Sequence, residues 1–145
     1  MQVRRAGPGD AEAIAAAYIP SFESLTFLPM LHSHDEHRAY VLRLVADQEV
    51  WVAEDEGGIV GVGALTSDML SHLYVHPDAQ GRGAGSALLD RAKERRPAGF
   101  TFWVFQANEH ARRFYESRGC HVLELTDGSG NEEKTPDALY EWRPG

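Results

Sequence analysis

A single cysteine among 145 residues, Cys120, is too little for an internal disulfide or a cysteine-rich zinc site. It stands where strand character begins, so its thiol is expected to pack rather than to react. Long apolar runs are missing as well. No segment approaches the roughly 18 consecutive apolar residues of a membrane helix, and Met1-Gln2-Val3-Arg4-Arg5 has no signal-peptide core. A soluble, cytoplasmic chain with no membrane partner is expected. Positive charge is in deficit, with 14 Lys and Arg against 22 Asp and Glu and a formal net charge of −8. Nucleic-acid backbones are held by clustered Lys and Arg that displace counterions, so no nucleic-acid partner is expected either. Any anionic ligand of this acidic chain has to be held by a local field.

What the chain does have is apolar content, 43% of its residues. At this length that fills one core, and residues 1–145 are expected to form a single domain. No repeat, low-complexity tract or linker interrupts them. Asp10 precedes an alanine-rich stretch to Tyr18. Ser33-x-x-Glu36 has the form of a capping box ahead of an apolar-periodic run through Tyr40, Leu42 and Val45, so two helices are expected early. Short β-branched runs at Val50 to Ala53 and Ile59 to Leu65 flank Glu56-Gly57-Gly58, a hairpin signal, and Leu70 to Val75 follows. Phe100 to Phe105, Cys120 to Thr126 and Leu139 to Arg143 also read as strands. The order β-α-α-β-β-β-α-β-α-β-β predicts an α/β fold with a mixed, mostly antiparallel sheet and helices on both faces. Asp127 to Asp137, polar and rich in glycine and acid, reads as a solvated loop. His32, His34 and His37 cluster before the second helix, but their spacing specifies no ligand set. Exposed histidines rather than a metal site are expected there, and no metal elsewhere.

The stretch from Leu73 to Leu89 is the most informative. It reads as a strand through Val75, stopped at Pro77, then the turn Gln80-Gly81-Arg82-Gly83-Ala84-Gly85-Ser86, then a helix whose apolar face begins at Ala87, Leu88 and Leu89. Glycines at 81, 83 and 85 let successive backbone N–H groups turn inward and approach a ligand closely. Those amides open a helix, where unpaired donors and the positive dipole end favour a phosphate, and Arg82 adds a cation. A mononucleotide loop would need a lysine and a hydroxyl after the last glycine, and both are missing. A dinucleotide loop would open the first strand-helix unit, whereas this one lies mid-chain. The bland alternative is a glycine-rich turn that only starts a helix.

Downstream, Asn108-Glu109-His110-Ala111-Arg112-Arg113-Phe114-Tyr115-Glu116-Ser117-Arg118-Gly119 reads as a helix capped by Asn108 and closed by Gly119. Ala111, Phe114, Tyr115 and Arg118 fall on one stripe, which is expected to face inward. Taken alone, capping by Asn108 and packing by Tyr115 would explain this segment. Together the two segments resemble the acyl-CoA loop and the second signature of the GCN5-related N-acetyltransferases (the GNAT family), and the element order resembles that fold over nearly the whole chain.

The resemblance implies acetyl-CoA as cosubstrate, bound through Leu73, Tyr74, Val75, Gln80, Gly81, Arg82, Gly83, Ala84, Gly85, Ser86 and Asn108. Its pantetheine arm would lie between two splayed strands and use the backbone of Leu73 to Val75 as an added strand would. An amine would attack the thioester directly in a ternary complex, and a strand N–H near Leu73 would stabilise the oxyanion. Tyr115 would assist the departing thiolate. The base departs from the family pattern, because Ser71 and Trp103 occupy positions where relatives carry acids. Water ordered by Ser71, or His32, are the candidates for taking the amine proton. Phe22, Phe27, Leu28, Met30, His32, Trp142, Glu132 and Glu133 are expected to frame a site for a small-molecule or peptide amine, with a homodimer kept as a partner arrangement. The alternative function is a catalytically weak domain of the same fold that binds and senses CoA; a protein-interaction domain that kept only the fold is the third.

Overall fold

Alternation along the strands decides which side chains each face of the sheet buries, and the helices cover those faces. The computed structural model describes all 145 residues and has the expected element order. Strand β1 (Gln2–Arg5) leads into α1 (Ala11–Glu23) and α2 (His34–Asp47). Strands β2 (Glu49–Asp55), β3 (Gly58–Leu65) and β4 (Leu70–Val75) follow, then α3 (Ala84–Arg95), β5 (Phe100–Phe105), α4 (Glu109–Glu116), β6 (Cys120–Leu125) and β7 (Asp137–Trp142). The first four strands form an antiparallel sheet in the order β1-β2-β3-β4, and the last three form a second in the order β5-β7-β6. Only one isolated bridge, Met69 with Thr101, joins the two, and it is the sole parallel pairing.

Val50, Val52, Val62 and Ala64 point to one face and pack with Ile14, Tyr18, Phe22, Val41 and Leu44 of α1 and α2. Ala53 and Trp51 point the other way, where Ala84 and Leu88 of α3 meet them. A further core joins Leu89 and Ala92 of α3 to Phe100, Phe102, Val104 and Tyr140 of the second sheet and to Tyr115 of α4, and Cys120 is buried in it. Helices therefore cover both faces, and the two sheets share the α3 layer.

Local signals behave unevenly. The Ser33 hydroxyl accepts from Glu36 N–H at 3.1 Å while the Glu36 carboxylate accepts from Ser33 N–H at 3.0 Å, which is the capping box in full. The run assigned to the face of α2 is different: the buried residues are His37, Val41 and Leu44, and Leu42 is 57% exposed. Positions 40 and 42 lie about 200° apart on a helix, so they cannot share a face. Asp10 does not cap α1 with its side chain. It accepts from Nη1 and Nη2 of Arg4, each at 2.9 Å, and from Gly7 N–H at 2.8 Å, tying β1 to the start of α1. The loop from 127 to 136 is held from inside, Asn131 donating to Thr135 O at 2.7 Å and to Asp137 at 3.2 Å.

Ile14 is fully buried between α1 and the sheet. Ile14→Ala is expected to cost about 2–5 kcal/mol of stability, read as a lower urea midpoint with an unchanged slope.

Candidate functional site

Gly83 opens α3 with φ 91°, a left-handed geometry that glycine adopts without strain, and Gly81 has φ 83°. Gly85 is needed for a different reason: a Cβ there would lie 3.3 Å from the Phe114 ring. The first helical bond runs from Ala87 N–H to Gly83 O, so the amides of Ala84, Gly85 and Ser86 precede it and have no carbonyl partner. No side chain caps them either. These donors border a cleft of about 1230 Å³ lined by the loop, the end of β4, the first turns of α4 and Phe27. Drug-sized pockets are about 300–1,000 Å³, so this cleft suits a larger ligand.

The cations at the loop are not those the sequence suggested. Arg82 turns away to Asp55 at 3.5 Å and does not line the cleft, because the nearest carboxylate lies behind the loop on β2. Arg118 does line it; its guanidinium stacks over Phe114 at 4.0 Å and donates to Ser86 Oγ at 3.0 Å. The expectation that Arg118 faces the core with Ala111, Phe114 and Tyr115 is thereby corrected. The residue lies beyond the last turn of α4 and is exposed. Arg113, also exposed, is the second cation on the rim.

Between β4 and β5 the pairing stops at the Met69–Thr101 bridge, and a smaller cavity of about 90 Å³ opens there. Ser71, His72, Leu73, Tyr74, Trp103, Phe105, Asn108 and Tyr115 are among its lining. His76 N–H donates to Val60 O at 2.8 Å, and with Val75 opposite Gly61 this fixes which pairs of the ladder are hydrogen-bonded. Tyr74 is such a pair with Val62, so its backbone groups face β3. Those of Leu73 and Val75 point to the open edge, although Gln80 Nε2 already donates to Val75 O at 3.3 Å. Asn108 accepts from Ala111 N–H at 3.2 Å and so caps α4, leaving its amide N–H donors for the cleft. Gly119 closes this segment with φ 85°.

Tyr115 is buried, its ring 4.4 Å from Phe102; the residue lines both cavities, and its hydroxyl has no hydrogen bond within the protein. Burial raises its pKa above the ordinary tyrosine value, so it keeps its proton across the neutral range. Ser71 donates to Gln48 Oε1 and lies 2.9 Å from His72 Nδ1, and Tyr40 Oη meets His72 Nε2 at 2.8 Å. Burial lowers the His72 pKa to about 4. The sequence reading passed over His72; its signal was that it stands one residue from Ser71 and shares a strand face with Tyr74.

His32 lies outside both cavities, bonded to Glu36 at 3.3 Å and to Glu132. These partners, Glu36 first, raise its pKa above the usual histidine value. His34 bonds Glu23 at 3.1 Å, while His37 is buried 5.4 Å from the Phe22 ring and 6.0 Å from that of His32, so the expectation of three exposed histidines is corrected at His37, which packs under α1. Of the expected acceptor frame, Phe27 reaches the cleft, next to Phe105 at 6.0 Å. Phe22 and Leu28 belong instead to the core under α1, and Trp142 packs on Phe100 at 5.5 Å. Their apolar bulk was real, but burial claimed it.

Residues 46–119 match the family model of the acetyltransferase (GNAT) domain. An uncharacterized N-acetyltransferase of Archaeoglobus fulgidus is 30% identical over 91% of this chain and 100% of its own length. The peptidyl-lysine N-acetyltransferase YiaC of Escherichia coli is 29% identical over 68% of this chain and 66% of its own. Among solved structures, the PaiA N-acetyltransferase of Thermoplasma acidophilum in complex with coenzyme A superposes with a TM-score of 0.76, covering 99% of this chain and 98% of that one at 18% identity.

A valine at 83 would put a branched side chain at a left-handed φ and its methyl groups among the free amides. Gly83→Val is expected to abolish coenzyme A binding in calorimetry while the circular dichroism spectrum stays that of the parent. Parent-like affinity would remove the loop from the binding site.

Proposed function

This chain belongs to the acetyltransferase (GNAT) family, and from that premise we propose that it moves an acetyl group from acetyl-CoA to a primary amine by direct attack in a ternary complex. The observation that carries this reading is the run of unpartnered amides at the start of α3, opening into the same cleft as the free Tyr115 hydroxyl. The amides of Gly81 to Ser86, with Arg118 and Arg113 beside them, take the pyrophosphate. The open-edge backbone of Leu73 and Val75 and the Asn108 amide take the pantetheine arm, Val75 O exchanging its bond from Gln80 for one from the ligand. The thioester then lies in the small cavity between β4 and β5, and the Leu73 N–H faces the developing oxyanion. As the carbon–sulfur bond breaks, Tyr115 donates its proton to the thiolate.

The acceptor we favour is the side-chain amine of a peptidyl lysine. YiaC is named for that activity, and the features of this chain agree with it. Phe27, Met30 and Leu31 are exposed on the segment joining α1 to α2, and Glu132 of the loop after β6 is tied to that segment through His32. An apolar and acidic rim suits a cationic side chain on a larger body. A CoA-sensing domain without turnover is the second reading, favoured by Ser71 and Trp103 standing where a carboxylate base would be. Thiol release from acetyl-CoA in the presence of lysine peptides separates the two: sustained release supports transfer, and tight CoA binding without release supports sensing.

Tyr115→Phe keeps the ring and its packing, so turnover is expected to fall roughly 10- to 1,000-fold with little change in melting temperature. An unchanged rate would show that the thiolate leaves unaided. The pH profile follows from the shifts above. Tyr115 stays protonated and His72 stays neutral between pH 6 and 9, so kcat/KM on a lysine peptide should climb about tenfold per unit, following the neutral fraction of an amine with a pKa near 10.4. A plateau beginning near pH 7 and lost in His32→Ala would give the proton to His32 instead.

A further inference from the structure

We propose that Ser71 and His72 form a proton relay that deprotonates the attacking nitrogen after it has bonded to the acetyl carbon, with Tyr40 positioning the imidazole. This rests on the ternary-complex reading and supplies the base that Ser71 and Trp103 leave missing. Ser71 and Tyr115 line the same cavity of about 90 Å³. At roughly 30 Å³ per water, that volume is near that of an acetyl group with its neighbouring atoms. The nucleophile therefore meets the thioester with one hydroxyl on the β4 wall and the other on α4.

The hydroxyl of Ser71 has three acceptors around it: Gln48 Oε1, Ala64 O at 3.2 Å and His72 Nδ1 at 2.9 Å. Two are carbonyls and one is a base. When the amine nitrogen becomes a cationic centre in the tetrahedral adduct, its N–H donates to Ser71 Oγ and the Ser71 proton passes to His72 Nδ1. His72 Nε2–H then donates to Tyr40 Oη, the contact already present at 2.8 Å. The carbon–nitrogen bond is formed, the carbon–sulfur bond breaks, and the thiolate takes the Tyr115 proton. Afterwards the imidazolium releases its proton to solvent, and Tyr115 regains one.

Acidity decides which proton the relay takes. Tyr18, Tyr40 and Tyr74 surround the imidazole at ring distances of 5.6 to 6.4 Å, no carboxylate perturbs it, and burial alone lowers its pKa to about 4. Against a free alkylammonium near 10.4 that base is about six units too weak. The amine must therefore arrive neutral, and the relay acts on the far more acidic nitrogen of the adduct. Tyr40, half-open to solvent on α2, acts through His72 as a positioning residue.

The test is steady-state thiol release by the parent, Ser71→Ala, His72→Gln and Tyr40→Phe with two acceptors. One is a lysine peptide; in the other an alkoxyamine replaces the lysine amine, so that the adduct nitrogen loses its proton to water unaided. With the lysine peptide, kcat should fall roughly 30- to 300-fold in Ser71→Ala and His72→Gln and less in Tyr40→Phe, while the KM for acetyl-CoA stays within twofold. With the alkoxyamine the deficits should shrink to within about threefold. Equal deficits with both acceptors would assign these residues to the shape of β4 and overturn the relay, as would lysine rates within twofold of the parent. Ser71→Ala deletes one oxygen and carries the test if His72→Gln fails to fold. A parent that releases no thiol with either acceptor would overturn the transfer reading, and the relay with it.

Discussion

The loss of pairing between β4 and β5 is the constraint on which the rest of the molecule depends. The two strands meet at one bridge and then part, so the sheet carries an internal edge where backbone donors and acceptors of Leu73 and Val75 have no strand opposite them. Backbone donors and acceptors along such an edge are free to pair with an added extended segment. Both cavities follow from this parting. The larger cleft lies where α3 and α4 flank the opened edge, and the smaller one lies between the strands themselves. A continuous sheet would satisfy the backbone and leave nowhere for an extended ligand to lie.

Charge is arranged around that opening in a way the net balance of −8 conceals. The unpartnered amides of the helix start, Arg118 and Arg113 give one side of the cleft its positive field, while Glu132 is tied through His32 to the segment between α1 and α2, outside the cleft lining. A local field of this kind can hold an anion on a chain whose net charge is negative. Burial supplies a second asymmetry. The same desolvation raises the Tyr115 pKa and lowers that of His72, because each is thereby kept in its neutral form. One group retains a proton to give, and the other retains a lone pair to accept one.

Much of this was legible along the chain. The strand-turn-helix around Gly81 to Ser86, the cap at Asn108, the capping box at Ser33 and the element order all rest on contacts between residues close in sequence, so local chemistry is enough to specify them. Some failures were of helix geometry, at Leu42 and Arg118, and others came where a side chain found a partner outside its own element. Arg82 had Asp55 behind it, Asp10 had Arg4, and Trp142 had Phe100, and none of these pairings leaves a periodic trace.

The sequence by itself determined that a free run of amides would open a helix after the third central strand, since glycine at 81 and 83 and the absence of a capping side chain dictate it whatever surrounds the loop. It also determined the two-faced strands and the closing glycine of α4. Only the tertiary structure decided which cations attend those amides, that the β4 edge stays open, and that Ser71, His72 and Tyr40 form one hydrogen-bonded chain. The reason is distance: Tyr40 and His72 are 32 residues apart, and their meeting depends on how α2 lies across the sheet, which the burial of Val41 and Leu44 sets rather than any pattern in the residues that touch.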